Sequence, residues 1–158
     1  MPDPVSPSVG QYIDKPFWDA EVYQRWVDLY GAWASYTPVW SNDASAPVLG
    51  NGTLVGKYKQ IGKTVHFYIR FNYGSTSSIP GGSGASPWYF SLPVTPAIST
   101  VAAARGGATS GVYPLAAILL TTGRAWFTRH DGTAVNATVP TSWATGHLLV
   151  ASGTYEAA

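Results

Sequence analysis

The chain has 158 residues, no cysteine and a formal net charge of +1, with 46% hydrophobic, 14% aromatic and only 11% charged residues. That length suits one domain with a sizeable core, and the lack of cysteine excludes disulfides and thiolate metal sites. Low charge with many aromatics argues against disorder, and without a dense run of Lys or Arg nucleic-acid binding is not expected.

Residues 1–13 place Pro2, Pro4 and Pro7 among small polar residues and read as an extended attachment segment. They hold no basic and apolar stretch of the kind a secretory signal uses. A helical stem is predicted over residues 14–33, with Asp14 as N-cap, Pro16 in the first turn and Gly31 as a stop. Trp18, Val22, Trp26, Leu29 and Trp33 recur at spacings of three and four, a one-sided apolar stripe. A helix this short is marginal alone. Its stripe must therefore pack, either on the chain's own β domain or on further copies around a symmetry axis. Residues 1–33 carry a net charge of −3 and residues 34–158 a net charge of +4.

From 34 to 158 the pattern is that of a β head domain. Val65, Phe67, Ile69, Phe71 and Tyr73 alternate with His66, Tyr68, Arg70 and Asn72, a strand with one buried face. With 57–60 it forms a hairpin across Ile61-Gly62-Lys63. Residues 75–87 hold three glycines among serines and read as a long flexible loop. Further strands are expected at 88–92, 98–104, 114–121, 124–130 and 148–155, with a glycine loop at 106–111 and a turn at Asp131-Gly132. About eight antiparallel strands with frequent turns point to an all-β sandwich or jelly roll. The longest apolar-dominated run, 112–120, contains Pro114 and falls far short of the ~20 residues that span a bilayer, so no membrane insertion is expected.

The residues offer little catalytic chemistry. Glycoside hydrolysis uses paired carboxylates, and the head has only Asp43, Asp131 and Glu156. His66, His130 and His147 show no metal-ligand spacing, although three copies of His66 or His147 around an axis could form a ring. No nucleophile elbow surrounds any serine. The expectation is a protein that is not an enzyme, with no cofactor and no metal. Asn51-Gly-Thr53 and Asn136-Ala-Thr138 match the glycosylation acceptor pattern, but Gly50-Asn51-Gly52 reads more simply as a turn. Trp40, Trp126 and Trp143 are expected in the core. Tyr68, Tyr73, Trp88, Tyr89 and Tyr113 are the candidates for a saccharide surface, since aromatic rings beside neutral loops suit stacking on sugars. The neutral 75–87 loop leads into Trp88 and Tyr89 and favours a neutral sugar.

Several segments occur in a telling order: Phe17-Trp-Asp-Ala-Glu-Val22, Trp33-Ala-Ser-Tyr-Thr-Pro-Val-Trp40, Gly50-Asn-Gly-Thr-Leu-Val-Gly-Lys-Tyr58, Phe90-Ser-Leu-Pro93 and Trp143-Ala-Thr-Gly-His147 before Gly153-Thr-Tyr-Glu156. Over residues 17–158 this set resembles the C-terminal domain of minor tail, or tail-fibre-like, proteins of phages that infect actinobacteria. His147 departs from the pattern, which often has an acid there. The resemblance implies a homotrimeric virion component, in the tail or on the virion surface and in the host cytoplasm during assembly. Its partners would be other tail proteins and a host cell-surface glycan. A structural virion protein without a ligand, such as a capsid decoration or fibre cap, and a glycan-degrading tail enzyme are the alternatives.

Overall fold

The computed structural model describes residues 15–79, 85–108 and 111–158, apart from the side chains of Ala20 and Glu21; Asp14 and the 1–13 segment lie outside them. The fold is all-β, with antiparallel pairing throughout and a short helical leader. The leader runs as α1 (Lys15–Trp18), a π-helical turn (Asp19–Tyr23) and α2 (Gln24–Tyr30). Gly31 ends it in extended conformation, its N–H still bonded to the Val27 carbonyl at 2.6 Å. Trp33, expected on the helical stripe, instead lies past this stop in the link to the first strand.

Among the described residues nine strands follow: β1 (Ala34–Tyr36), β2 (Trp40–Ser41), β3 (Thr53–Ile61), β4 (Thr64–Asn72), β5 (Tyr89–Ser91), β6 (Thr100–Ala108), β7 (Gly111–Leu120), β8 (Arg124–Thr128) and β9 (Leu148–Glu156). They form one sheet in the order β1-β3-β4-β9-β6-β7-β8-β5-β2. The two edge strands are consecutive in the chain, joined only by Thr37, Pro38 and Val39. In a flat sheet eight strand spacings would hold them about 38 Å apart, whereas four peptide links reach about 14 Å. The sheet must therefore curl until its edges nearly meet. Val39 extends the pairing of β2 with β5, its N–H donating to Ser91 Oγ at 2.8 Å and its carbonyl accepting from Ser91 N–H at 3.0 Å, and Tyr36 of β1 reaches across the seam to donate its hydroxyl to the Ser91 carbonyl at 3.5 Å.

Alternation along the strands sorts the side chains. β4 buries Val65, Phe67, Ile69 and Phe71 as its spacing requires, and β9, β7 and β8 add Leu149, Ala151, Leu115, Ala117, Leu119, Ala125 and Phe127. Where β9 and β6 meet, the inward residues are small. A Cβ on Gly153 would stand 2.6 Å from that of Ala102 on the adjacent strand, so β9 and β6 approach too closely for anything larger. The glycines expected in a 106–111 loop belong instead to the β6–β7 hairpin. A side chain at Gly106 would meet Leu115 and Trp143 at 3.0 and 3.3 Å, and Gly107 has φ +119 against the Tyr113 ring. Pro114 is accommodated in β7 because pairing with β8 begins only at Ala116. Tyr155 at the end of β9 ties down the β5–β6 connection. Its hydroxyl donates to the Val94 carbonyl at 2.6 Å, and burial pushes its pKa up to about 12.

The seam provides a test of the curl. Tyr36 lies across Gly56 in register, its ring where a Gly56 side chain would stand. Gly56→Ala is expected to destabilise the head by about 1–3 kcal/mol through overpacking. The cost should be smaller when Tyr36→Ala is already present, and urea denaturation of the four proteins in this cycle measures the difference.

Candidate functional site

The five residues expected to form a saccharide surface do not come together. Trp88 is fully buried, 4.8 Å by ring centroid from both Trp40 and Trp143 and 5.9 Å from Phe71. It is a core residue and cannot offer a ring face to a ligand. Tyr73 is half-buried and stacks on Trp88 at 6.5 Å with an interplanar angle of 7°, so its ring serves the same cluster. Tyr68 stands on the outer face of β4, Tyr113 is exposed near the end of the β6–β7 hairpin, and Tyr89 lies on the outer face of β5.

Around Tyr89 the structure gathers residues that the sequence reading scattered. The Tyr89 hydroxyl donates to Asp43 Oδ2 at 2.8 Å, and Arg124 reaches Asp43 Oδ1 at 3.4 Å. The Arg124 guanidinium lies 4.3 Å over the Tyr89 ring. Burial, then the bond to Asp43 and its charge, raise the Tyr89 pKa, and Arg124 opposes them. Directly across from Tyr89 is Trp126. Expected in the core, Trp126 is half-buried on the outer face between the buried Ala125 and Phe127. The parity of β8 carries that signal: Arg124 and Trp126 share one face, Ala125 and Phe127 the other. Two outward aromatics with a guanidinium and a carboxylate at the rim can seat a sugar ring and bond its hydroxyls.

The 75–87 loop is not free where it is described; residues 80–84 lie outside the described part. Ser77 is buried, its hydroxyl donating to the Leu49 carbonyl at 2.5 Å and accepting from Gly74 N–H at 2.9 Å. The Asn51 carboxamide oxygen accepts from Thr76 N–H and Oγ1, both at 3.0 Å, and its nitrogen donates to Ser75 Oγ. Val48 pairs with Ser78. Gly50, at φ +57, brings this clasp within contact of the Thr76 backbone. Asn136 is likewise occupied: it is buried, and its oxygen accepts from Thr138 and Val139.

Among the described residues no group of three or more His, Asp or Glu is placed to hold a metal. Asp131 is engaged in its own turn, accepting from Thr133 N–H at 2.9 Å and pairing with Arg129 at 3.3 Å. Those Thr133 hydrogen bonds, then the Arg129 charge, hold its carboxyl below the usual range despite slight desolvation. His66 bonds Thr154 across strands at 2.9 Å, and His147 packs beside Trp143. No helix among the described residues is long and apolar enough to cross a membrane. No protein-family model, curated protein or solved structure matches the chain.

The clasp makes a prediction that a free loop would not. Ser77→Ala leaves the Gly74 N–H without its partner and removes the hydroxyl donor from the Leu49 carbonyl, which keeps its bond from Gly52 N–H. It is expected to cost about 1–3 kcal/mol in chemical denaturation, while Ser78→Ala, at an exposed side chain, stays within about 0.5 kcal/mol.

Proposed function

We propose that the chain is a tail-tip or fibre protein of an actinobacterial phage, a virion adhesin whose β head binds a bacterial surface polymer without cleaving it. One observation carries this reading: the stem presents its apolar side chains to solvent rather than to its own head. Trp18, Trp26, Leu29 and Tyr30 are 52%, 57%, 49% and 71% exposed, and Trp33 in the link is 47% exposed. Val22 is half-exposed. Trp26 and Tyr30 stack on each other at 5.1 Å. The helix meets the head mainly through Lys59, whose ammonium donates to the Leu29 and Gly31 carbonyls, both at 2.6 Å, where a cation is favoured by the helix dipole. So much exposed aromatic surface on a short helix supports association of copies through the stem, as in a homotrimer displaying three heads. Three weak sites then act together by avidity.

In this reading the curled sheet fills the place of the expected sandwich or jelly-roll head. Tyr89 and Trp126 form the saccharide platform, with Tyr68 and Tyr113 on separate parts of the surface. The stem joins the other tail proteins of the virion. Binding without cleavage is supported by the acids themselves, since Asp43 and Asp131 are each engaged by an arginine on separate loops.

Light scattering is expected to give a trimer for the intact chain. Burying one Trp or Leu contributes about 1.5–3 kcal/mol, so Trp26→Ala with Leu29→Ala should shift the protein to monomer while the head's melting barely changes. A monomeric intact chain at micromolar concentration would overturn the oligomer. Labelled protein should decorate actinobacterial host cells, and Tyr89→Ala with Trp126→Ala should weaken that decoration. A trimer that decorates no host cell would instead favour the structural virion protein, and release of sugar from host envelopes would favour the enzyme.

A further inference from the structure

We propose that the outer face of the sheet around Val150 is a second binding surface, one that takes a linear anionic surface polymer of sugars or polyols. Arg70 and Arg105 would grip it, with Lys57 beside them. The register places these residues. Val150 on β9 stands opposite Arg70 on β4 and opposite Arg105 on β6, so the two guanidinium groups flank it from either side. They are two strand spacings apart, about 10 Å. Lys57 is opposite Tyr68, which puts it diagonal to Arg70 at about 7–8 Å. All three cations are exposed on the outward parity of their strands.

Like charges at these spacings repel, and folded proteins usually intersperse acids among them. Here no described carboxylate lies within ion-pair distance of Lys57, Arg70 or Arg105. Three of the head's other four cations contrast with these, Lys63 standing apart in the β3–β4 turn. Arg124 pairs with Asp43, Arg129 pairs with Asp131, and Lys59 is spent on the stem carbonyls. Three of the head's four cations that have neither an ion pair nor a carbonyl partner among the described residues are thus gathered on one rigid face.

That face also has a shape. Ala103 and Ser152, opposite each other on β6 and β9, leave a shallow groove of ≈ 190 Å³ beside Arg105 and Val150. Tyr68 stands across β9 from Ala103, opposite Ser152. The groove therefore has small residues on its floor and Arg105 at one end, with Tyr68 and Arg70 on the next strand beyond it. An extended polymer can lie in such a groove without a deep pocket. Guanidinium forks pair with phosphate or carboxylate bidentately, and two of them about 10 Å apart select a repeating anion over a single one. Single-stranded nucleic acid is the weaker candidate, because its binding uses a longer cationic track with several stacking aromatics. This surface is separate from the Tyr89 platform and rests on the adhesin reading only for where such a polymer is met.

Fluorescence anisotropy of the intact chain tests it, with labelled poly(glycerol phosphate), polygalacturonate, neutral dextran and oligo-dT as probes. Poly(glycerol phosphate) or polygalacturonate is expected to bind, dextran is not, and binding should weaken as salt is raised. The arm that binds identifies the anion as phosphate or carboxylate. Arg70→Ala with Arg105→Ala should lower the affinity at least about tenfold through loss of two charge-assisted contacts, as should the double Gln variant. Arg129→Ala should leave it unchanged, and unaltered thermal melting shows that the double variants remain folded. Failure of the intact chain to bind either anionic polymer, equal binding by the folded double variants, or tighter binding of oligo-dT than of both polymers would each overturn the proposal. The adhesin reading fails separately, if the chain binds the isolated polymer yet decorates no host cell.

Discussion

Every larger feature of this head depends on one constraint: the chain must cross from one edge of a nine-stranded sheet to the other within Thr37, Pro38 and Val39. Backbone reach alone then forces the curl. What holds the crossing in place is Trp40, the first residue beyond it, which is 7% exposed and set among Phe71, Tyr73 and Trp88. Aromatic pairs at these edge-on and tilted angles contribute beyond the area they bury. The cluster therefore stabilises a closed arrangement that the three linking residues could not stabilise themselves.

Three of the segments singled out in the sequence meet in or beside that cluster. The segment 33–40 supplies Trp40. The last supplies Trp143, whose indole N–H donates to the Asn136 carbonyl at 2.8 Å, and Gly146, whose φ of +86 turns the chain so that its N–H bonds the Tyr73 carbonyl. The middle one supplies the Asn51 clasp on residues 75–76. Segments far apart in sequence thus meet at one end of the head, and their glycines are fixed by close approach as much as by turn geometry.

Period-two alternation made β3, β4, β8 and β9 legible in the sequence, because each buries one face and exposes the other. The same logic, applied to the parity of Arg124 and Trp126, would have placed Trp126 outside. It was outweighed by the general tendency of Trp to be buried. Trp88 runs the other way: it follows a glycine-rich loop, but its backbone N–H is taken by the Val135 carbonyl and its ring by the core. The β6–β7 hairpin was hidden because Gly106 and Gly107 look like loop residues until the Leu115, Trp143 and Tyr113 side chains that crowd them are known. The stem stripe was legible in composition, but Gly31 cuts it before Trp33. Whether it packed on the head could not be read from spacing, since spacing gives a face and not its partner. The basic outer face needed the register, because Arg70, Arg105 and Lys57 are scattered along the chain.

The clasp between stem and head has a mechanical consequence. Any tension applied through the stem enters the head by the covalent path through Gly31 to Ala34. The bonds from Lys59 to the Leu29 and Gly31 carbonyls lie beside that path, as do the three residue pairs of β1 with β3. These are few and short, with Tyr36 alone among the β1 residues packed against the core, and they yield first. Beyond them the chain meets Trp40 in its aromatic setting, which resists extraction by side-chain burial rather than by backbone pairing. A pulled head would thus pay out a short length of slack, then stop with its sheet still whole, so the joint would act as a shock absorber between stem and head.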